Sequence, residues 1–250
     1  MNEKETAYIV SVSFFITCSL IDMAMEAIFG DSCANNSGGD IETLKRISEQ
    51  ELADCTEKAF LNGKYLLSVS GDICPEEAKS IAEKYKKEFW IDTERQELKR
   101  HSPVYRKEAQ KAGFVVYAAS GKLYVYHILR ILELYINHQF MSGLQGRVIL
   151  ISMLSASLFA FYIQGEDSVQ KMEKLQAVLR NKPLQEVMEK MTVLYLQTRE
   201  YKMQSNPTRD ALERALYQIS YGSMKHMTEQ ALNMFTDIFS REPLYEVYVK

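Results

Sequence analysis

The sequence predicts an α+β protein made of two homologous domains, each a sheet packed against helices, the first of them lacking its N-terminal part. Three observations carry that expectation. Short runs rich in strand formers alternate with longer runs of helical periodicity along most of the chain. A polar, charged and unpatterned stretch, "IDTERQELKRHS" from Ile91 to Ser102, separates two such series and reads as a linker. The chain also resembles itself when slid by 180 positions: "ISEQELADCTEKAFLNGKYLLSVS" then lies without gaps over "MTEQALNMFTDIFSREPLYEVYVK". Glu49, Gln50, Leu52, Thr56, Tyr65 and Val69 match Glu229, Gln230, Leu232, Thr236, Tyr245 and Val249, and both copies read as capping signal, helix, turn and strand. Only 46 residues precede the first copy, whereas more than a hundred separate Pro103 from the second. The expected boundaries are 1–90 for the partial first domain, 91–102 for the linker and 103–250 for the second domain.

Taken in order, Tyr8 to Phe29 reads as a mostly buried helix closed by Gly30, and a turn-rich loop follows to Asp40, which can cap a short helix through Arg46. Ser48-x-x-Glu51 is a capping box, and it opens a helix with Leu52, Cys55 and Ala59 on one face. Tyr65 to Val69 is short and rich in strand formers, and Gly71-Asp72 stops it. Pro75 fits the first helical position, where its missing N–H costs nothing, and Glu76 and Glu77 then face the positive end of the helix dipole. Ala78, Ile81, Ala82, Tyr85 and Phe89 form the expected packing face of that helix.

The second series opens with an extended stretch, Gly113 to Ala119, and a helix burying Val125, Ile128, Leu129, Leu132 and Ile136. Ser157 to Ile163 reads as a strand. Asp167 to Leu179 and Leu184 to Met203 read as helices, the latter stopping before Asn206-Pro207, and Thr208 to Tyr221 as another. The stripe Val187, Met188, Met191, Leu194 and Tyr195 is expected to be core rather than a partner groove.

Composition bounds the function. An apolar fraction of 46% in 250 residues is enough for a real core, and a net charge of -3 with scattered basic residues gives no general attraction to nucleic acid. Cys18, Cys33, Cys55 and Cys74 show no paired spacing and are expected to be reduced; with no basic, apolar leader before Ser11 and Ser13, the expected address is cytoplasmic. The uncharged run Val148 to Ile163 is shorter than the roughly 20 residues a membrane-spanning helix needs. "NNSGG", Asn35 to Gly39, lacks the Gly-Lys-Ser/Thr end of a phosphate loop.

The stretch from Ala27 to Tyr85 resembles the late part of an N-terminal domain in the pitrilysin/insulinase-type (inverzincin) metallopeptidases. Those have a helix ending in a phenylalanine-glycine turn, a loop, a helix, a strand ending in Gly-Asp and a helix beginning Pro-Glu-Glu. "SGLQGR", Ser142 to Arg147, is similar to that family's serine-arginine-leucine helix followed by an arginine, and "MTEQALNMFTDIFSREPLYEVYVK" to its closing helix and strand. The resemblance implies paired α+β domains around a chamber that holds an extended peptide, which adds as a strand to a sheet edge. It also implies a role for Arg147, with Tyr162 as the loosely placed second residue, in contacting the substrate where an oxyanion develops.

Catalysis in that family needs zinc on a His-x-x-Glu-His motif, and this chain has none. His101, His127, His138 and His226 are nowhere three or four residues apart, and His226-x-x-Glu229 offers one imidazole, with Glu229 expected as a first-turn acid. No catalytic residue, metal ligand or cofactor is therefore expected in this chain; Glu3 or Glu5 alone could not assemble a site. The resemblance implies a non-catalytic subunit that completes the chamber of a homologous, zinc-bearing catalytic partner and helps hold the peptide. The setting would be peptide or bacteriocin maturation, as in bacterial heterodimeric peptidases with an inactive half. The alternatives are a truncated fragment of an active zinc endopeptidase and a purely structural subunit.

Overall fold

The computed structural model describes residues 24, 27, 28, 45–57, 73–84, 104, 105, 111–120, 125–152, 156–217 and 223–249. The expected strand Tyr65 to Val69, the linker, Cys18, Cys33 and nearly all of the first helix lie outside the described residues.

Among the elements described in full, helices α1 (Glu49–Thr56) and α2 (Pro75–Lys84) come first. The capping box forms as read: the Ser48 hydroxyl accepts from the Glu51 N–H, and the Glu51 carboxylate accepts from the Ser48 N–H at 2.8 Å. Pro75 is the first residue of α2, with Glu76 and Glu77 in its first turn. The expected packing faces are corrected where they are described, Ala59, Tyr85 and Phe89 lying outside the described residues. Neither helix has a buried residue: Leu52 is 62% exposed, Ala82 is exposed, and Ala78 and Ile81 are only half-buried. An apolar stripe is buried only where a second layer covers it.

The remaining elements are β1 (Val104–Tyr105), β2 (Lys111–Ser120), α3 (Tyr126–Ile136), β3 (Gly146–Ser152), β4 (Ala156–Gln164), α4 (Ser168–Leu179), α5 (Gln185–Ser205), α6 (Pro207–Tyr217), α7 (Met224–Phe239) and β5 (Tyr245–Val249). A π-helical turn, Asn137–Met141, continues α3. The strands form one sheet in the order β1-β5-β2-β4-β3, antiparallel except for the parallel β1–β5 pair.

Alternation along the strands splits the core in two. Phe114, Val116, Phe159, Phe161 and Ile163 face a layer of helices, where Ile128, Leu132, Met188, Phe235 and Phe239 complete the larger cluster. Val115, Leu158, Ala160, Tyr162, Tyr245 and Val247 point the other way and are covered by Ala24, Ala27 and Ile28. Buried on both faces, β4 is apolar almost throughout, and this explains the long uncharged run: Val148 to Ile163 is most of a hairpin, not a helix. Among the described residues no helix is long and apolar enough to cross a membrane.

The α5 stripe is mixed. Met188 and Met191 are buried as expected, and Thr192 joins α7 through a buried hydrogen bond from Thr228 at 3.2 Å, while Leu194 is exposed. Expected at Thr208, α6 starts at Pro207, capped by the Asn206 side chain accepting from the Arg209 N–H at 3.1 Å.

Candidate functional site

The site is built around the start of β3. The resemblance sets Arg147 just after a helix; in the structure that helix gives way to a turn at Ser142–Gln145, and Arg147 lies on β3. Gln145 turns the chain with a left-handed φ of 51°, and Gly146 then runs against β4. A Cβ at Gly146 would sit 2.4 Å from the Tyr162 carbonyl oxygen and 2.9 Å from Met141 Cε, so only glycine allows this approach. Gly146→Ala is expected to cost about 2 kcal/mol, lowering Tm by about 5 °C in thermal unfolding.

Arg147 and Tyr162 are cross-strand partners on β3 and β4. They do not share a pocket. Tyr162 is buried, its hydroxyl donates to Gln164 Oε1 at 2.8 Å, and it lines a small apolar void beside Ala24 and Val247. Burial raises the pKa of that phenol. Arg147 is exposed and lines a polar cleft of about 420 Å³ between α3, α5, α6 and β3.

Sequence reading missed the α3 side of this cleft. The Asn137 amide reaches the outer edge of β3, donating to the Val148 carbonyl at 2.9 Å and accepting from the Val148 N–H at 3.1 Å. Glu133 accepts from the Leu150 N–H at 2.9 Å and also pairs with Arg130. These side chains occupy main-chain groups that an added strand would need, so this stretch of edge is closed. The available signal was Arg130, Glu133 and Asn137 at helical spacing in an otherwise apolar helix.

The far wall is held by a nearly buried ion pair, Arg199 Nη2 to Asp210 Oδ1 at 2.7 Å, which ties α5 to α6. Glu213 lies 3.7 Å from Arg199 and 3.4 Å from Arg209. The Tyr195 hydroxyl is buried in the same wall beside Arg199. Its burial raises the phenol pKa, an effect that the neighbouring Arg199 charge only partly offsets.

No group of three or more His, Cys, Asp or Glu able to hold a metal exists among the described residues. His226 and Glu229 are exposed on α7. Glu229 is not a first-turn acid as expected, because the helix starts earlier, at Met224 with Ser223 as cap. His127 is buried on α3 and His138 is exposed, and His101 lies outside the described residues.

No protein-family model and no curated protein sequence matches the chain. Solved structures do. The chain superposes on the inactive domain of an M16 peptidase from Pseudomonas fluorescens with a TM-score of 0.61 and 13% identity, covering 91% of this chain and 64% of that one. This chain has the M16, or pitrilysin/insulinase-type, peptidase fold. A chain of complex III2 from Candida albicans matches with a TM-score of 0.55 and 12% identity over 94% of this chain and 67% of that one. A ferredoxin protease solved in complex with an Arabidopsis ferredoxin matches at 0.53 and 13% over 93% of this chain and 30% of that one. One M16 fold thus serves an inactive domain, a protease and a chain of complex III2, so function must be argued from the site.

Proposed function

We propose that this chain is a non-catalytic subunit of an M16-type peptidase assembly, completing with a homologous zinc-bearing partner a chamber that holds an extended peptide. The observation that carries the reading is Arg147: an exposed guanidinium with no carboxylate partner among the described residues, at the mouth of an open cleft in a fold shared with an inactive M16 domain. In this reading residues 1–90 and 103–250 are two peptidase-like halves. Arg147 contacts the bound peptide, offering it a positive charge and paired donors. Tyr162 supports Arg147 from the adjacent strand instead of touching the peptide with its hydroxyl, which is engaged by Gln164. Strand pairing with the peptide falls to the partner, since Asn137 and Glu133 occupy the β3 edge. The zinc belongs to the partner, and the setting is peptide or bacteriocin maturation in the cytoplasm.

The test is zinc content and peptidase activity of the purified chain, alone and mixed with a homologue from the same source that carries the zinc motif. Activity is expected only in the mixture, falling about tenfold or more in kcat/KM with Arg147→Ala. Stoichiometric zinc and cleavage by the isolated chain would overturn the reading. A purely structural subunit is the second reading, favoured by the likeness to a chain of complex III2. It expects full activity of the Arg147→Ala mixture and no peptide bound.

A further inference from the structure

We propose that the cleft between α3, α5, α6 and the start of β3 takes a side-chain carboxylate of an acidic peptide, received between Arg147 and Lys202. The inference rests on the peptide-holding reading above and adds the chemical class of the peptide. Most cations around the cleft are already matched: Arg130 by Glu133, Arg199 by Asp210, and Arg209 by Glu213. Arg147 and Lys202 come from different elements, line the same space, are exposed and have no carboxylate partner among the described residues. Two like charges facing one cleft are stabilised by an anion between them, and a guanidinium presents paired donors that match a carboxylate.

The rest of the wall suits that anion. The wall carries Arg130, Arg199 and Arg209 as well, so cations outnumber the lining carboxylates Glu133 and Glu213. A volume of about 420 Å³ fits a side chain or two. The closed β3 edge removes main-chain pairing as a competing mode at Val148 and Leu150. The whole chain carries a net charge of -3, so the positive potential is local, which favours a short acidic segment over a nucleic acid.

The experiment is calorimetric titration of the full chain with two peptides of the same length, acetylated and amidated at their ends, differing only in glutamate against glutamine at two positions. At about 50 mM salt the glutamate peptide is expected to bind about tenfold tighter, an advantage that shrinks as salt is raised. Lys202→Gln, at an exposed position and with an unchanged Tm, is expected to reduce the advantage to about threefold or less, and Lys202→Arg to retain it. Equal affinity for the two peptides, or a glutamate preference unchanged by Lys202→Gln, overturns the carboxylate site. If both peptides bind equally and Arg147→Ala weakens both, the carboxylate site falls while the peptide-holding reading stands. If neither peptide binds, with or without the zinc-motif homologue, both fall.

Discussion

Asp210→Ala is expected to destabilise the protein by about 3 kcal/mol, enough to lower Tm by about 10 °C, because it removes the 2.7 Å counter-charge of a nearly buried guanidinium. The Arg199 side chain is only 10% exposed, and its 2.7 Å contact with Asp210 joins α5 to α6 across the back of the cleft. Without Asp210 the guanidinium keeps Glu213 at 3.7 Å, a looser and more exposed counter-charge. The loss comes less from the attraction forgone than from leaving an ion nearly buried and under-compensated. Asp210→Asn, which keeps an acceptor and removes the charge, is expected to cost less than the alanine variant. Denaturant unfolding of the two variants checks the order; equal costs would mean that the lost charge accounts for the whole effect and the retained shape and acceptor contribute nothing. The same Asp210→Ala variant is expected to loosen the cleft wall formed by α5 and α6.

Phe235→Ala is expected to cost about 4 kcal/mol, the largest effect of a single truncation in the helix layer. Phe235 is 1% exposed and packs edge-on against Tyr135 at 5.5 Å and against Phe239 at 4.7 Å. Phe239 in turn meets Phe159 and Phe161 of β4, so the ring couples α3 and α7 to that strand. Alanine would leave a cavity that these rings cannot fill without abandoning their own contacts. Phe235→Leu, which keeps most of the volume, is expected to cost about 1.5 kcal/mol. Thermal melts of the pair separate lost burial from lost ring geometry: a leucine variant as unstable as the alanine one would point to the aromatic contacts.

Local chemistry made much of the fold legible. The capping box at Ser48, the proline start of α2, the buried face of α3 and the spans of α4 and α5 all depend on residues within a turn or two of one another. The hairpin was harder. With β4 buried on both faces and β3 half-covered, neither strand has a clean alternation, and the two merge into one apolar run. That hid β3, the strand that carries Arg147. The cleft was less legible still, because Arg130, Arg147, Lys202 and Arg209 come from four separate elements and no spacing in the chain relates them.

The internal repeat shows where each source of information ends. Leu52 and Leu232 occupy equivalent positions in matching helix patterns, yet Leu52 is 62% exposed and Leu232 8%. The sequence by itself determined that both segments are helices, that an α+β architecture contains them and that the chain has no His-x-x-Glu-His motif. Only the tertiary structure decided which apolar face is covered, that Asn137 and Glu133 close the β3 edge, and that Arg147 and Lys202 face the same cleft. Helix and strand preferences are set by near neighbours along the chain, whereas burial and charge balance depend on what the rest of the fold brings alongside.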